Sequence, residues 1–121
     1  MDRILLFATS SELIRVPARS LVCVRADGNY SAVRLADGSE YYLTMQLGQI
    51  ERRIAEQSGA DDNEFIRIGK SLIVNRAFIV YINHTRQKLV LSDGRTFRFE
   101  ESASREALRS LREYIESISN E

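Results

Sequence analysis

The first third of the chain alternates short apolar runs with polar breaks, a pattern that predicts β-strands. Five aliphatic or β-branched segments carry it: residues 4–8, 12–16, 21–25, 30–35 and 40–43. Asp27-Gly28 precedes the fourth segment and Asp37-Gly38 precedes the fifth. Asp-Gly favours tight turns because glycine accepts a positive φ. Residues 21–43 are therefore predicted to form a three-stranded meander.

Apolar residues at helical spacing predict two helices. After Thr44, which is a candidate N-cap, Leu47, Ile50 and Ile54 lie on one face of a helix that ends near Gly59. Residues 59–64 then form a polar, acidic loop. The second helix is predicted over about 102–119. It has an apolar stripe on one face, and Ser102 or Ser104 is its expected cap.

Strands return between the two helices. Five segments fit the pattern: residues 65–68, 72–75, 78–83, 88–92 and 96–99. Asp93-Gly94 marks the last hairpin, and residues 78–82 show no alternation, so we expect cover on both faces there. The order of elements predicts a mainly β fold of stacked antiparallel sheets with a short middle helix and an amphipathic C-terminal helix. One domain over residues 1–121 is expected.

The neutral formal charge of the 121 residues hides a segregation of charge. Residues 65–98 contain seven Lys and Arg and a single acidic residue, Asp93, so the remainder is acidic. A basic segment of this kind favours an anionic partner. A solvated basic face balanced by an acidic one accounts for the same composition, and charge alone leaves both readings open.

The residue types that catalytic sites commonly need are scarce in this sequence, which argues against an enzyme. Gly69-Lys70-Ser71 lacks the upstream glycine of a phosphate-binding loop, because Glu64 stands in its place. The single histidine, His84, lies in a polar turn, and the single cysteine, Cys23, lies between two valines. One cysteine allows no internal disulfide, and these few His and Cys residues exclude most metal sites of that type. We therefore expect no cofactor, no small-molecule substrate and no membrane span, and a cytoplasmic location.

One continuous segment stands out within the basic region. Residues 65–75 read Phe-Ile-Arg-Ile-Gly-Lys-Ser-Leu-Ile-Val-Asn. This segment resembles the signature of the LytTR family of bacterial DNA-binding domains, Phe-x-Arg-x-His-Arg-Ser-x-x-Val-Asn. Residues 27–30, 35–38 and 89–94 resemble the first half and the closing hairpin of the same family. The resemblance is strongest over residues 17–111.

The resemblance implies an elongated β fold whose loops enter successive major grooves of DNA. It implies contacts in three places: the turn into the fourth strand, the His-Arg position of the signature, and the loop before the last helix. The residues at these positions are Asn29, Tyr30, Gly69, Lys70, Ser102, Ser104 and Arg105. Arg67 either braces the second loop or meets phosphate. Strand alternation puts Tyr30 and Arg34 on one face, and we expect both to point outward.

The chain departs from the family pattern at two places. Gly69 stands where the family has histidine, and Glu100 and Glu101 stand near the position of expected arginines, where carboxylates would repel phosphate. The leading hypothesis is a stand-alone regulator of transcription, like the output domain of a response regulator but without room for a receiver domain. It binds double-stranded DNA, as two copies on repeated half-sites. The alternative is a LytTR-like scaffold that binds a protein partner through the last helix or a sheet edge. The leading hypothesis requires the separate turns to meet at one cationic edge.

Overall fold

The structure is a computed structural model that describes residues 3–58 and 64–119. Ten strands and two α-helices occur in these residues. They are β1 (Ile4–Ala8), β2 (Leu13–Pro17), β3 (Leu21–Asp27), β4 (Tyr30–Leu35), β5 (Glu40–Leu43), α1 (Leu47–Gln57), β6 (Phe65–Ile68), β7 (Leu72–Asn75), β8 (Ile79–Asn83), β9 (Lys88–Ser92), β10 (Arg98–Ser102) and α2 (Arg105–Ser119). Short 3₁₀ turns occupy Ala18–Ser20 and Arg76–Phe78. Neither α-helix is long and apolar enough to cross a membrane.

The strands form three antiparallel sheets. The central sheet has five strands in the order β5-β4-β3-β7-β6, and the others are β10-β9-β8 and β1-β2. The predicted meander over residues 21–43 is confirmed as β3-β4-β5, and the predicted fold class of stacked antiparallel sheets is confirmed as well. The β3–β7 pairing joins the two halves of the chain.

Both faces of the central sheet are covered. On one face, Leu21 and Val24 of β3 belong to a core that includes α1 and the β1–β2 hairpin. On the other face, Val22 and Cys23 belong to a second core that includes α2 and the three-stranded sheet. A β-bulge between Leu21 and Cys23 puts neighbouring residues on the same side. Burial on both faces explains why β3 begins as an unbroken apolar run instead of an alternating one.

Helix ends are fixed by polar side chains close to the predicted positions. Gln46, not Thr44, is the N-cap of α1, and it forms a reciprocal capping box with Gln49. The hydroxyl of Ser104 accepts the amide of Ala107 at 3.1 Å, so Ser104, one of the two predicted caps, begins α2. The helix α1 ends at Gln57, and most of the predicted acidic loop, including Asp61 and Asp62, lies outside the described residues.

Side-chain to backbone hydrogen bonds move two predicted strand boundaries. The Asp93 carboxylate accepts the amides of Arg95, Thr96 and Phe97, which holds a turn where the last strand was predicted to begin. These bonds lower the pKa of Asp93 to about 2. In the same way, Asn75 Oδ1 accepts the amide of Ala77 at 3.0 Å, and a 3₁₀ turn replaces the start of the strand predicted from residue 78.

The expectation that residues 78–82 are covered on both faces is wrong. Val80 is 60% exposed and Tyr81 is 47% exposed. Their strand, β8, is an edge strand, and a bulge between Ile79 and Tyr81 turns part of it outward. The missing alternation therefore reflects the bulge and not burial.

A different edge is closed by a side chain. The amide of Gln57 accepts the Leu6 N–H at 2.8 Å and donates to the Leu6 carbonyl oxygen at 3.1 Å. Gln57 thus takes the place of a neighbouring strand at the free edge of β1. The outer face of the β1–β2 hairpin stays open, with Ile4, Leu6 and Leu13 among its exposed side chains.

Candidate nucleic-acid interface

Two of the three predicted contact turns leave the central sheet at the same end. Arg25 of β3 pairs with Leu72 of β7, and the Ala26 amide donates to the Ser71 carbonyl oxygen at 2.8 Å. Because β3 and β7 are antiparallel neighbours, the turn at 28–29 after β3 and the turn at 69–71 before β7 emerge side by side. Asn29, Tyr30, Gly69 and Lys70 therefore lie at one end of the sheet.

The third predicted segment reaches the same end. A groove of about 710 Å³ separates the 69–71 turn from the start of α2, and Ala103 and Ser104 line its helix side. At its narrow point, a Cβ added to Gly69 would lie 3.5 Å from the Cβ of Ala107. Ser104 thus stands across this groove from Lys70, and Ser102 and Arg105 lie within two residues of Ser104 in the chain. We call residues 27–30, 69–71 and 102–105 together the loop end.

The second turn is held rigidly from below by Arg67. Its Nε donates to the Gly69 carbonyl oxygen at 3.0 Å and its Nη2 to the Lys70 carbonyl oxygen at 3.2 Å. Its Nη1 bonds to Glu51 of α1 at 2.8 Å. Of the two roles open to Arg67, the structure thus contains the bracing role. Gly69 has φ +60°, a backbone conformation that glycine adopts without strain.

The tip residues of the loop end are exposed. Lys70 is exposed and makes no ion pair with any residue in 3–58 or 64–119, so its ammonium group is available to an anion. Asn29 is also exposed, next to Gly28 with φ +62°. The Tyr30 side chain, 49% exposed, projects from the first residue of β4.

Arg34 does not point outward with Tyr30 as expected. The face of β4 that carries it is covered by β10, and the Arg34 guanidinium lies 4.9 Å from the ring centre of Phe99. Arg34 donates to Glu40 at 2.6 Å and also hydrogen bonds to Glu101. Strand alternation predicts which residues of β4 share a face, but it does not predict that another sheet covers that face.

The two carboxylates expected to repel phosphate are both paired. Glu101 has a side chain only 3% exposed, and it faces Arg34 and Arg25 between the sheets. Burial raises the pKa of the Glu101 carboxyl, against the opposing pull of the two arginines. Glu100 points to the other side of β10 and binds Lys88 at 3.2 Å and Arg98 at 2.9 Å, which lower its pKa. Neither carboxylate is an unpaired negative charge at the loop end.

A fourth turn at this end was missed in the sequence. Lys88 pairs with Asn83 on one side and with Ser102 on the other, so the β8–β9 turn lies beside the end of β10. Gln87 Nε2 donates to the Ala103 carbonyl oxygen at 3.2 Å. The basic segment 65–98 is thereby divided, because Arg95 is in the β9–β10 turn at the opposite end of β9. The count of basic residues in 65–98 does not show that Arg86 and Arg95 lie at opposite ends of β9, because this follows only from the strand register.

The single cysteine and the single histidine lie in surroundings that do not activate either side chain for catalysis. Burial raises the pKa of the Cys23 thiol to about 12, which keeps it protonated and unreactive at neutral pH. His84 Nε2 lies 3.4 Å from Arg112 Nη1, a cation and not a proton acceptor.

The family model described as the LytTr DNA-binding domain matches residues 11–116. The chain belongs to the LytTR family. The structure is similar to that of the LytTr DNA-binding domain of a Bacillus cereus protein described as a methyl-accepting/DNA response regulator. The similarity has a TM-score of 0.62 at 20% identity and covers 95% of this chain and 98% of that one. A search of curated proteins gave no match. As a member of the LytTR family, the chain is a DNA-binding domain of a kind that serves transcription regulation.

The electrostatics of the loop end in this LytTR domain are weakly positive. Lys70 and Arg105 of the loop end and Arg86 of the neighbouring β8–β9 turn are exposed, and none of them has an ion pair within the described part of the chain. Exposed Asp27 and Glu106 oppose them. The N-terminus of α2 adds the partial positive charge of its unpaired amides. The loop end and the β8–β9 turn thus carry only a small excess of positive charge, which gives little long-range attraction for an anion.

Proposed function

We propose that this LytTR domain binds duplex DNA sequence-specifically by inserting the turns of the loop end into the major groove, and that this binding regulates transcription. The observation that carries the proposal is the convergence of three turns, distant in sequence, at one end of a rigid sheet. Exposed polar side chains lie at the tips of these turns, and the Arg34–Glu101 ion pair is buried between the sheets.

Each tip has chemistry suited to a defined part of the duplex. The Asn29 amide can pair with both N6 and N7 of adenine, and the Lys70 ammonium can donate to guanine O6 or N7. Tyr30 offers a hydroxyl and an aromatic face beside Asn29. Ser102, Ser104 and Arg105 suit phosphate, because the first amides of α2 add hydrogen-bond donors at the same place. Gly69 offers only its backbone, so the groove beside it is open where the family carries histidine.

The proposal includes two copies on repeated half-sites, since a single small module covers few base pairs. We also propose that residues 1–121 act as one domain in the cytoplasm.

Selection from a random duplex pool at low salt, followed by gel shift, tests the proposal. We expect enrichment of a defined sequence and loss of binding in Lys70→Glu. Arg53→Glu is the matched control. Arg53 is exposed on α1, which packs in the first core, whereas α2, across the groove from Lys70, packs in the second core on the opposite face of the central sheet. No enriched sequence, or equal binding by wild type and Lys70→Glu, would contradict the proposal.

A protein-binding scaffold remains the second candidate, and one feature favours it. Ile4 and Leu6 of β1 and Leu13 of β2, 62% exposed, form an apolar outer face on the first hairpin. The last helix, by contrast, buries Leu108 and Leu111 of its stripe in the second core. Pull-down from a native extract with and without nuclease separates the two functions. A partner that survives nuclease and is lost in Leu13→Ser supports the second.

A further inference from the structure

The β8–β9 turn is built into the loop end by strand register. Lys88 pairs with both Asn83 and Ser102, so the turn between β8 and β9 begins level with the end of β10. The chain continues from Ser102 into Ala103 and Ser104, which line the groove opposite Lys70. The β8–β9 turn therefore lies beside the start of the 102–105 segment.

Gln87 fixes this turn at a conformational penalty. It is the only described non-glycine residue with a positive φ, at 55°. L-residues disfavour this left-handed conformation, and it persists where the surroundings enforce it. Here the Gln87 side chain donates to the Ala103 carbonyl oxygen at 3.2 Å, which ties the turn to the 102–105 segment. The strained backbone of Gln87 and its side-chain bond to Ala103 together indicate that the position of this turn is functionally constrained.

Arg86 is the charged group that this turn presents. Its amide donates to Asn83 Oδ1 at 3.0 Å, which orders the backbone, while its side chain is exposed and has no ion pair in the described structure. The next basic residue, Lys88, is by contrast bound to Glu100 at 3.2 Å. Of these two basic residues, Lys88 is therefore paired with a carboxylate, whereas Arg86, two residues earlier in the turn, has no ion-pair partner in the described structure.

We propose that the β8–β9 turn is a fourth nucleic-acid contact, in which the Arg86 guanidinium binds a backbone phosphate of the DNA next to residues 102–105. Gln87 acts as the positioning residue for Arg86. This inference rests on the proposed function and adds to it a contact outside the three turns that the family resemblance indicated. A phosphate contact positions the protein on the duplex without reading bases.

The test is the salt dependence of binding to the enriched duplex. Arg86→Gln is expected to reduce the slope of log K against log salt by ~0.9, the contribution of one released counterion, and to weaken binding about eightfold at ~0.1 M salt. The fold-decrease in DNA affinity should be equal for enriched and scrambled duplexes, because a phosphate contact does not depend on base sequence. Arg95→Gln is the matched control, because Arg95 is an exposed arginine in the turn at the other end of β9.

Gln87→Gly tests the positioning role separately. It relieves the backbone strain, so the thermal stability of the protein should not fall, while DNA affinity should. Combined with Arg86→Gln, it should weaken binding no further than Arg86→Gln alone. If Arg86→Gln leaves the slope as Arg95→Gln does while Lys70→Glu still abolishes binding, this inference is wrong and the proposed function stands. If wild type enriches no duplex, both are wrong.

Discussion

Asn75, the last residue of the signature segment, provides a sharp test of how this fold is held together. It is 1% exposed, and its side chain joins two elements. Nδ2 donates to the Leu21 carbonyl oxygen at 2.9 Å, at the start of β3, and Oδ1 accepts the Ala77 amide at 3.0 Å, inside the 3₁₀ turn. The Ala77 bond fixes the local backbone after β7, and the Leu21 bond connects β7 to a residue 54 positions away in the chain.

Replacing Asn75 by alanine removes both bonds and leaves a buried acceptor without this partner. Leu21 is fully buried, so its carbonyl group loses a partner that water does not easily replace, whereas Ala77 is exposed and its amide can bond to water. We expect Asn75→Ala to lower the free energy of unfolding by about 3 kcal/mol, with a Tm decrease of about 10 °C for a domain of this size.

Asn75→Asp is an isosteric version of the same test with a pH signature. An ionised carboxylate still accepts the Ala77 amide but faces the Leu21 carbonyl oxygen without a proton to donate. Its folded pKa is therefore raised above the unfolded value. The protonated carboxyl of the Asn75→Asp variant therefore stabilises the fold at low pH, and this contribution to the free energy of unfolding is lost as pH rises through the folded pKa. At neutral pH, Asn75→Asp should be less stable than Asn75→Ala, and in acid the order should reverse.

Urea denaturation followed by circular dichroism measures these differences, and Asn83→Ala is the control. Asn83 also makes two side-chain bonds, to the Arg86 amide at 3.0 Å and to the Tyr81 hydroxyl at 3.1 Å, but in an exposed turn. Its loss should cost below about 1 kcal/mol because water replaces the partners. Equal costs for Asn75→Ala and Asn83→Ala would refute the reasoning from burial.

Two further predictions concern the cap of α2 and a buried carboxylate near the end of β10. Ser104→Ala should lower the free energy of unfolding by about 1 kcal/mol through loss of the bond to the Ala107 amide, while Ser102→Ala, an exposed serine outside the cap, should be within ~0.5 kcal/mol of wild type in urea denaturation. Glu101→Gln should change stability at neutral pH by no more than ~1 kcal/mol, because Arg34 keeps its ion pair with Glu40 and the neutral amide avoids the desolvation cost of the buried carboxylate. The stability of wild type relative to Glu101→Gln should fall as pH rises above the unfolded value of 4.5 and through the raised folded pKa, a trend that Glu100→Gln should not show.

Local chemistry made much of the fold predictable. The strands 30–35, 40–43, 65–68, 72–75 and 88–92 were predicted at the residues where the structure has them. Asp-Gly and Gly-Lys turns bound most of these strands, and glycines at 28, 38, 69 and 94 do have positive φ. Where the predictions missed, a side chain bonded to backbone in a way that periodicity does not encode, as Asp93 does with three consecutive amides.

The candidate site depended more on contacts between distant residues. The signature segment identified Lys70, but its position beside Asn29 follows from the pairing of β3 with β7, about which hydrophobic pattern says nothing. Likewise, Glu101 was expected to oppose phosphate, and its partner Arg34 is 67 residues away in the chain. Charge counting also treated Arg86 and Arg95 alike, although they occupy opposite ends of β9.

The two cores on either side of the central sheet leave the proposed DNA contacts outside the packed interior. Asn29, Tyr30, Lys70 and Arg105 belong to neither core, so exchanging their side chains should leave the interior untouched. Under the proposed function, this arrangement lets operator preference change through mutations at the hairpin tips while the scaffold keeps its original stability. Variants that recognise new sequences can therefore arise without compensating changes elsewhere in the chain.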